Sequence, residues 1–400
     1  MKPNRASWGR ALLAGAALFA ALPMSASASE WRKVENLKTV KGADGNMHTA
    51  QCSGYPGTDG KFSFWAKKGS SKNVMVFFEG GGACWENFTC SFPITGQSSG
   101  PYQFFVPAIN PAAHPNTFDG VFKNVAGNPL RDWSVVYIPY CTGDLHTGST
   151  TKTYYNAGNP DLPVPAFTIQ HRGFDNFMVV LDWMKKNLDA PPEMLVTGVS
   201  AGGYGAALNF PWLARAYPEA KLSVLADASQ GVTAPAFDLS PVGRNTWNPQ
   251  LAPWVWGPPV ISSKIPGNEL LRVATLSHRH ARFSQYTTSF DTVQIGFYGL
   301  MKQLYQYGGN CPSPDDYSTA VDWYQKMSQK LVSYAVTLPN YRFYLAGGQS
   351  HTILSGPSFF TESTAGEGFS HWLKDMVNGT VGGDWRNAAC PTCLIPLPCP

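Results

Sequence analysis

The sequence predicts an α/β architecture: a mostly parallel central sheet with helices on both faces and long loop insertions. Three observations predict it. Five short runs rich in β-branched and aromatic residues recur along the chain, at 74–78, 135–138, 194–199, 222–226 and 341–345. None alternates polar with apolar residues, which is the mark of strands covered on both faces. Helical patterns lie between them, and strand, helix, strand, helix in succession favours right-handed crossovers in a parallel sheet.

Taken in order, the chain opens with a leader. Lys2, Arg5 and Arg10 precede an uncharged apolar run, "ALLAGAALFAALPM", and the small residues "ASA" at 26–28. The pattern predicts an export signal over 1–28, removed to leave one domain over 29–400. The apolar run falls short of the roughly 20 residues that a bilayer-spanning helix needs. The mature chain is therefore expected to be secreted or periplasmic, with no stable membrane insertion. The run 74–78 leads into three successive glycines, Gly80, Gly81 and Gly82. A helix is expected over 173–188, where Phe174, Phe177, Met178, Leu181 and Met184 form one stripe and Pro191 and Pro192 end the pattern. Further helices are expected over 318–336 and 369–377. Residues 91–130 and 231–267, rich in Pro, Gly, Asn and aromatics, read as long loops of the kind that line or cover a site.

Composition narrows the function. With 44% hydrophobic and 14% charged residues, the chain can bury a large core and is not disordered. Removing the leader takes away three positive charges, leaving 27 Lys and Arg against 26 Asp and Glu. A net charge of +1 gives no electrostatic reason to expect nucleic acid as a partner. Eight cysteines in an exported chain point to disulfides, although the pairing is open. Cys390 and Cys393 alone have metal-like spacing, and without a second such pair no metal is expected.

The chemistry is carried by "VTGVSAGGYGA". Gly198-x-Ser200-x-Gly202 follows a buried run and precedes a helix start built of small residues. A serine at such a strand-to-helix turn is exposed for attack, as in the nucleophile elbow of α/β-hydrolases. A hydroxyl nucleophile also needs a base and an oxyanion hole. The glycine turn after 74–78 can present amides, so Gly81, Gly82 and Ala201 are expected to form the hole, with Glu79 fixing the loop. The fold orders its residues serine, acid, histidine. His351, in the loop "GGQSHTIL", is the expected base. His371 lies on a helix, His278 and His280 sit among arginines, and His146 and His171 precede the serine. For the acid, spacing leaves Asp227 and Asp291 comparable.

These stretches together resemble the pectinacetylesterase family. "FFEGGGACW" is similar to its Glu-Gly-Gly-Gly turn, "VTGVSAGGYGA" to its elbow, and "NPLRDWSVVYIPYCTGDLHTG" to its strand ending in "PYC". The resemblance implies an α/β serine hydrolase that removes acyl groups from oxygen, without metal or organic cofactor. The family's acid lies in an Asp-x-x-Gln stretch, matched here by Asp291 and Gln294. The resemblance therefore implies a triad of Ser200, Asp291 and His351, with Asp227 structural. The family often has Cys directly after its histidine; here Thr352 follows. The expected substrate is an acylated small molecule or polysaccharide, with acetyl esters of a pectin-like polymer foremost. A polyester or lipid-ester hydrolase with the same triad is the alternative, and a non-catalytic carbohydrate-binding or adhesion protein is a rival of another class. Trp85, Tyr102, Trp247, Trp254 and Trp256 are candidates for stacking on sugar rings.

Overall fold

The computed structural model describes residues 30–95, 102–110, 115–306, 317–379, 384–391 and 393. The leader expected over 1–28, together with Cys311 and Cys399, lies outside the described residues. The main sheet runs through β1 (Arg32–Val34), β2 (Phe64–Lys67), β3 (Val74–Phe78), β4 (Ser134–Ile138), β5 (Glu193–Val199), β6 (Lys221–Asp227), β7 (Arg282–Thr288), β8 (Tyr341–Ala346) and β9 (Ala388–Ala389). Their spatial order is β1-β2-β4-β3-β5-β6-β7-β8-β9. β2 pairs antiparallel with both β1 and β4 at one edge, and every other pairing, from β4 across to β9, is parallel.

The unbroken apolar runs are explained by what covers them. In β3, Val74, Val76 and Phe78 join one core, while Met75 and Phe77 join another on the opposite face. The first core includes the stripe of α1 (Gly173–Asn187) and the inward side of α2 (Ala201–Ala216), α3 (Gly267–Ser277) and part of α5 (Tyr317–Thr337). The second is closed by α6 (Phe369–Asn378) through Phe369, Trp372, Leu373 and Met376. Helices thus cover both faces, and α1, α5 and α6 begin and end within a residue or so of the sequence expectation.

Besides the short strands β1, β2 and β9, three elements were not legible in the sequence. β7 reads "RFSQYTT", yet all seven residues are buried. Its polar side chains are spent inside the fold: Ser284 Oγ donates to Val224 O, Gln285 Nε2 donates to Ser229 O, and Tyr341 Oη donates to Gln285 Oε1. Such pairing removes most of the desolvation cost of burying them. The other two are α3 and α4 (Thr292–Gln306). The expected loop 231–267 contains short helices at Pro235–Leu239, Pro253–Trp256 and Pro259–Ser262, each with proline in its first turn, where its missing N–H costs nothing. Disulfides join Cys52 to Cys141, Cys84 to Cys90 and Cys390 to Cys393. No described helix is long and apolar enough to cross a membrane.

The topology gathers loops at one end. The chain leaves β3 on one side for β4 and returns on its other side for β5, so the order reverses between β3 and β5. In open parallel sheets a crevice forms at such a point, outside the carboxyl ends of the strands. The loops after β3, β5, β6, β7 and β8 all leave from that end.

Candidate active site

Ser200 occupies the turn between β5 and α2 with φ 54° and ψ −124°. Non-glycine residues rarely adopt this conformation, which costs about 1–3 kcal/mol and persists only where its surroundings enforce it. Here Ser200 N donates to Asp227 O at 2.8 Å, and Ser229 Oγ donates to Ser200 O at 2.7 Å. Gly202 passes so close to β3 that a Cβ would stand 2.0 Å from Phe78 O. A Cβ on Gly198 would stand 2.4 Å from Gly202 O. The two glycines are therefore required by the approach of α2 to the sheet. The first amides of α2 have no partner within the helix and sit at its positive end.

The loop after β3 faces this turn. Glu79 anchors it: its N–H donates to Ile138 O at 2.9 Å and its Oε2 accepts from Tyr140 N at 3.0 Å. Burial pushes the Glu79 carboxyl up from its ordinary range. Glu79 O accepts from His146 Nε2 at 2.9 Å, which fixes that ring's tautomer, and burial holds His146 neutral with its pKa lowered to about 4. Gly82 has φ 69°, and a Cβ there would lie 1.9 Å from Phe104 O. Val106 N donates to Gly81 O and Ala83 N donates to Phe104 O, so the loop is stitched through its other groups. Among the described residues nothing accepts from the N–H of Gly81 or Gly82.

Asp291 and His351 come from the loops after β7 and β8. Asp291 is fully buried and caps α4, its Oδ1 accepting from Val293 N at 3.1 Å and Gln294 N at 3.0 Å. Gln294 Nε2 donates to Oδ2 at 2.9 Å. His351 Nδ1 stands 2.8 and 2.9 Å from the two carboxylate oxygens, so Nδ1 carries the proton. The two loops are zipped together: Ser289 N donates to Ala346 O, Phe290 N to Gly348 O, and Thr288 Oγ1 to Ser350 O. Asp227 does something else. Its Oδ2 accepts from Ile353 N and Leu354 N, both at 2.9 Å, and so holds the chain just beyond His351. Burial raises the Asp227 carboxyl to about 7.

His351 Nε2 is buried and has no hydrogen-bond partner among the described residues. His351 lines a cavity of about 110 Å³ together with Ser200, Ala201 and Gly82. The lining is mostly apolar, with Trp85, Leu145, Phe237, Trp247, Phe297 and Met301, and also includes the paired Asp238 and Arg244. No other described histidine lines this cavity. His171 is buried between Thr142 O and Tyr154 Oη, and His371 is exposed beside Glu367. Cys84, Cys90 and His171 lie close enough to hold a metal ion, but both sulfurs are spent in a disulfide and so offer no thiolate.

The pectinacetylesterase family model matches residues 35–247, just over half of the chain. The chain belongs to the pectinacetylesterase family. It is similar to palmitoleoyl-protein carboxylesterase notum1a of Danio rerio, 28% identical over 38% of this chain and 28% of that protein. It is also similar to palmitoleoyl-protein carboxylesterase notum1 of Xenopus laevis, 27% identical over 41% of this chain and 30% of that protein. A second Xenopus laevis relative, notum1', is 26% identical over 46% and 36%. The matched stretches span about a third of these relatives' own length. The family match takes in the glycine loop and the elbow and stops before Asp291 and His351.

Within this family member, two supporting roles escaped the sequence reading. Asp227 as a clamp on the histidine loop depends on contacts 126 and 127 residues apart, which no local pattern signals. Gln294 both positions Asp291 and donates to Gln230 Oε1 at 2.8 Å; only its place in the Asp-x-x-Gln stretch marked it. The aromatics expected to meet sugars divide. Trp85, Trp247 and Trp256 are buried; Trp85 and Trp247 line the cavity beside Ser200, and the indoles of Trp247 and Trp256 donate to Cys84 O and Leu270 O inside the fold. Tyr102 and Trp254 are exposed.

Proposed function

We propose that the chain is an exported serine carboxylesterase with Ser200 as nucleophile, His351 as base and Asp291 as the acid that orients it. One observation carries the reading: a buried carboxylate holds Nδ1 of His351, its Nε2 has no partner among the described residues, and His351 and Ser200 line one cavity. An imidazole protonated at Nδ1 can only accept a proton at Nε2, which is the state a general base needs. His351 takes the Ser200 proton as the oxygen attacks the ester carbonyl. The N–H groups of Gly81, Gly82 and Ala201 meet the developing oxyanion, and Asp291 stabilises the imidazolium. His351 then returns the proton to the leaving alkoxide, and water repeats the cycle on the acyl-enzyme. Residues of this kind need no metal or organic cofactor. The leader and the disulfides support a secreted or periplasmic setting.

The lining of the cavity favours an acyl group with a few more carbons than acetyl. A dry apolar cavity of about 150 Å³ accommodates benzene, so 110 Å³ suits an acyl chain of roughly four or five carbons. Two extra methylenes are worth about 1.6 kcal/mol, or about 15-fold in kcat/KM. Chromogenic acetyl, butyryl and octanoyl esters test both statements. Butyrate is expected to exceed acetate by that margin, and Ser200→Ala to lower turnover by at least about three orders of magnitude in a folded protein. Retained turnover in that variant would exclude Ser200 as nucleophile, and an inactive parent would favour a binding protein.

A further inference from the structure

A second cavity, of about 520 Å³, lies between α4 and α5 and is lined by Lys302, Lys326, Lys330, Tyr298 and Asp322. It shares Val232, Thr233 and Asn268 with the cavity beside Ser200, so the two adjoin. Residues 322, 326 and 330 recur every fourth position and form one stripe along α5. Lys302 reaches the same space from α4. Three ammonium groups therefore meet one carboxylate, and that carboxylate is already engaged. Lys326 Nζ stands 2.7 Å from both Asp322 oxygens, Tyr298 Oη donates to Oδ2 at 2.5 Å, and Lys302 Nζ is 3.6 Å away.

Lys330 is half-buried and forms no ion pair among the described residues. Glu269 and Asp238 act on it only at longer range, and each is paired with an arginine, Arg272 and Arg244 respectively. Burial accordingly lowers the Lys330 ammonium from its ordinary range. Positive charge held in a partly enclosed space without its counterion is costly, and an anion that enters relieves the cost.

We propose that this cavity is a subsite for a carboxylate carried by the ester substrate, next to the cavity that takes the acyl group. The idea rests on the reading of Ser200 as nucleophile for its place in catalysis, but binding there does not. The carboxylate can belong to the alcohol part, as in an acylated uronic acid, or to the far end of the acyl part, as in a dicarboxylic half-ester. A neutral ester uses only the apolar cavity.

The test is calorimetric binding to full-length Ser200→Ala, which cannot turn substrate over. Two pairs of probes are compared: a galacturonate oligomer with its neutral methyl ester, and a hydroxyalkyl half-ester of glutarate with its neutral diester. At least one charged probe is expected to bind about tenfold or more tighter than its neutral counterpart, and the pair that shows the gap identifies the source. Raising ionic strength from about 0.05 M to about 0.5 M should narrow the gap. Lys330→Gln and Lys302→Gln should each close much of it, with unchanged thermal transitions showing that they fold. Equal binding within both pairs, or a gap insensitive to both lysines, overturns the subsite. Failure of the parent to hydrolyse any chromogenic ester would overturn the esterase reading alone, because the binding comparison does not depend on it.

Discussion

Replacing Asp291 with asparagine separates the two buried carboxylates near His351. Asparagine can still cap α4, with its oxygen accepting from Val293 N and Gln294 N. Its amide nitrogen then takes the place of Oδ2. That position now receives Gln294 Nε2 at 2.9 Å and lies 2.9 Å from His351 Nδ1, so donors would face donors. The remaining oxygen, 2.8 Å from Nδ1, can still accept from it, but the amide N–H would press on the same proton. Moving that proton to Nε2 relieves the contact and lets Nδ1 accept from the amide, and a ring protonated at Nε2 cannot accept the serine proton. Loss of the correct tautomer and of the charge that stabilises the imidazolium is worth about 10³–10⁴ in kcat, or about 4–5 kcal/mol. Asp227→Asn is the control. Its oxygen keeps the bonds from Ile353 N and Leu354 N, and its nitrogen replaces Oδ1, which has no partner among the described residues. The expected loss in kcat is below about tenfold. Steady-state kinetics on a chromogenic butyrate ester, with thermal unfolding to verify the fold, decides the matter. A larger loss in Asp227→Asn than in Asp291→Asn would refute the assignment.

Three further outcomes follow from the geometry. Asp227→Asn should change the pH dependence of stability. The native carboxyl holds its proton up to about pH 7, whereas the unfolded one releases it near 3.8, so the parent loses stability as pH rises through that window. The variant lacks this loss, and its melting temperature relative to the parent should climb between pH 4 and pH 7, by the equivalent of about 2–4 kcal/mol. A pH-independent difference would contradict the cause given for the shift. Gly202→Ala should cost at least about 3 kcal/mol in urea unfolding, because its methyl would stand 2.0 Å from a backbone carbonyl that cannot give way. Phe297→Ala should move the preferred acyl chain toward octanoate by lengthening the apolar cavity, with kcat/KM for octanoate rising relative to butyrate; an unchanged ratio would place the acyl group elsewhere.

Much of this arrangement can be read from the chain itself, and the exceptions have physical reasons. Val74–Phe78 and Glu193–Val199 declare themselves as strands because both their faces are apolar, and Gly198 and Gly202 stand out because no other residue tolerates the contact with Phe78. Arg282–Thr288 does not declare itself, since its hydroxyl and amide groups are matched one by one with partners from distant strands. That hidden strand is what delivers Asp291. Spacing alone therefore left Asp227 and Asp291 equal, and the distinction lies in which carboxylate faces the ring and which faces the backbone beyond it. The cavity linings were hidden for the same reason: they assemble from the loop after β3, the segment 232–271 and the two helices α4 and α5.

The most direct measurement is covalent trapping. A fluorophosphonate that mimics an ester should label the parent protein once, with peptide mass spectrometry placing the adduct on Ser200. Labelling should slow by at least about three orders of magnitude in His351→Ala, where no imidazole receives the proton. An adduct on a different residue, or labelling of Ser200 at the same rate without His351, would contradict the account.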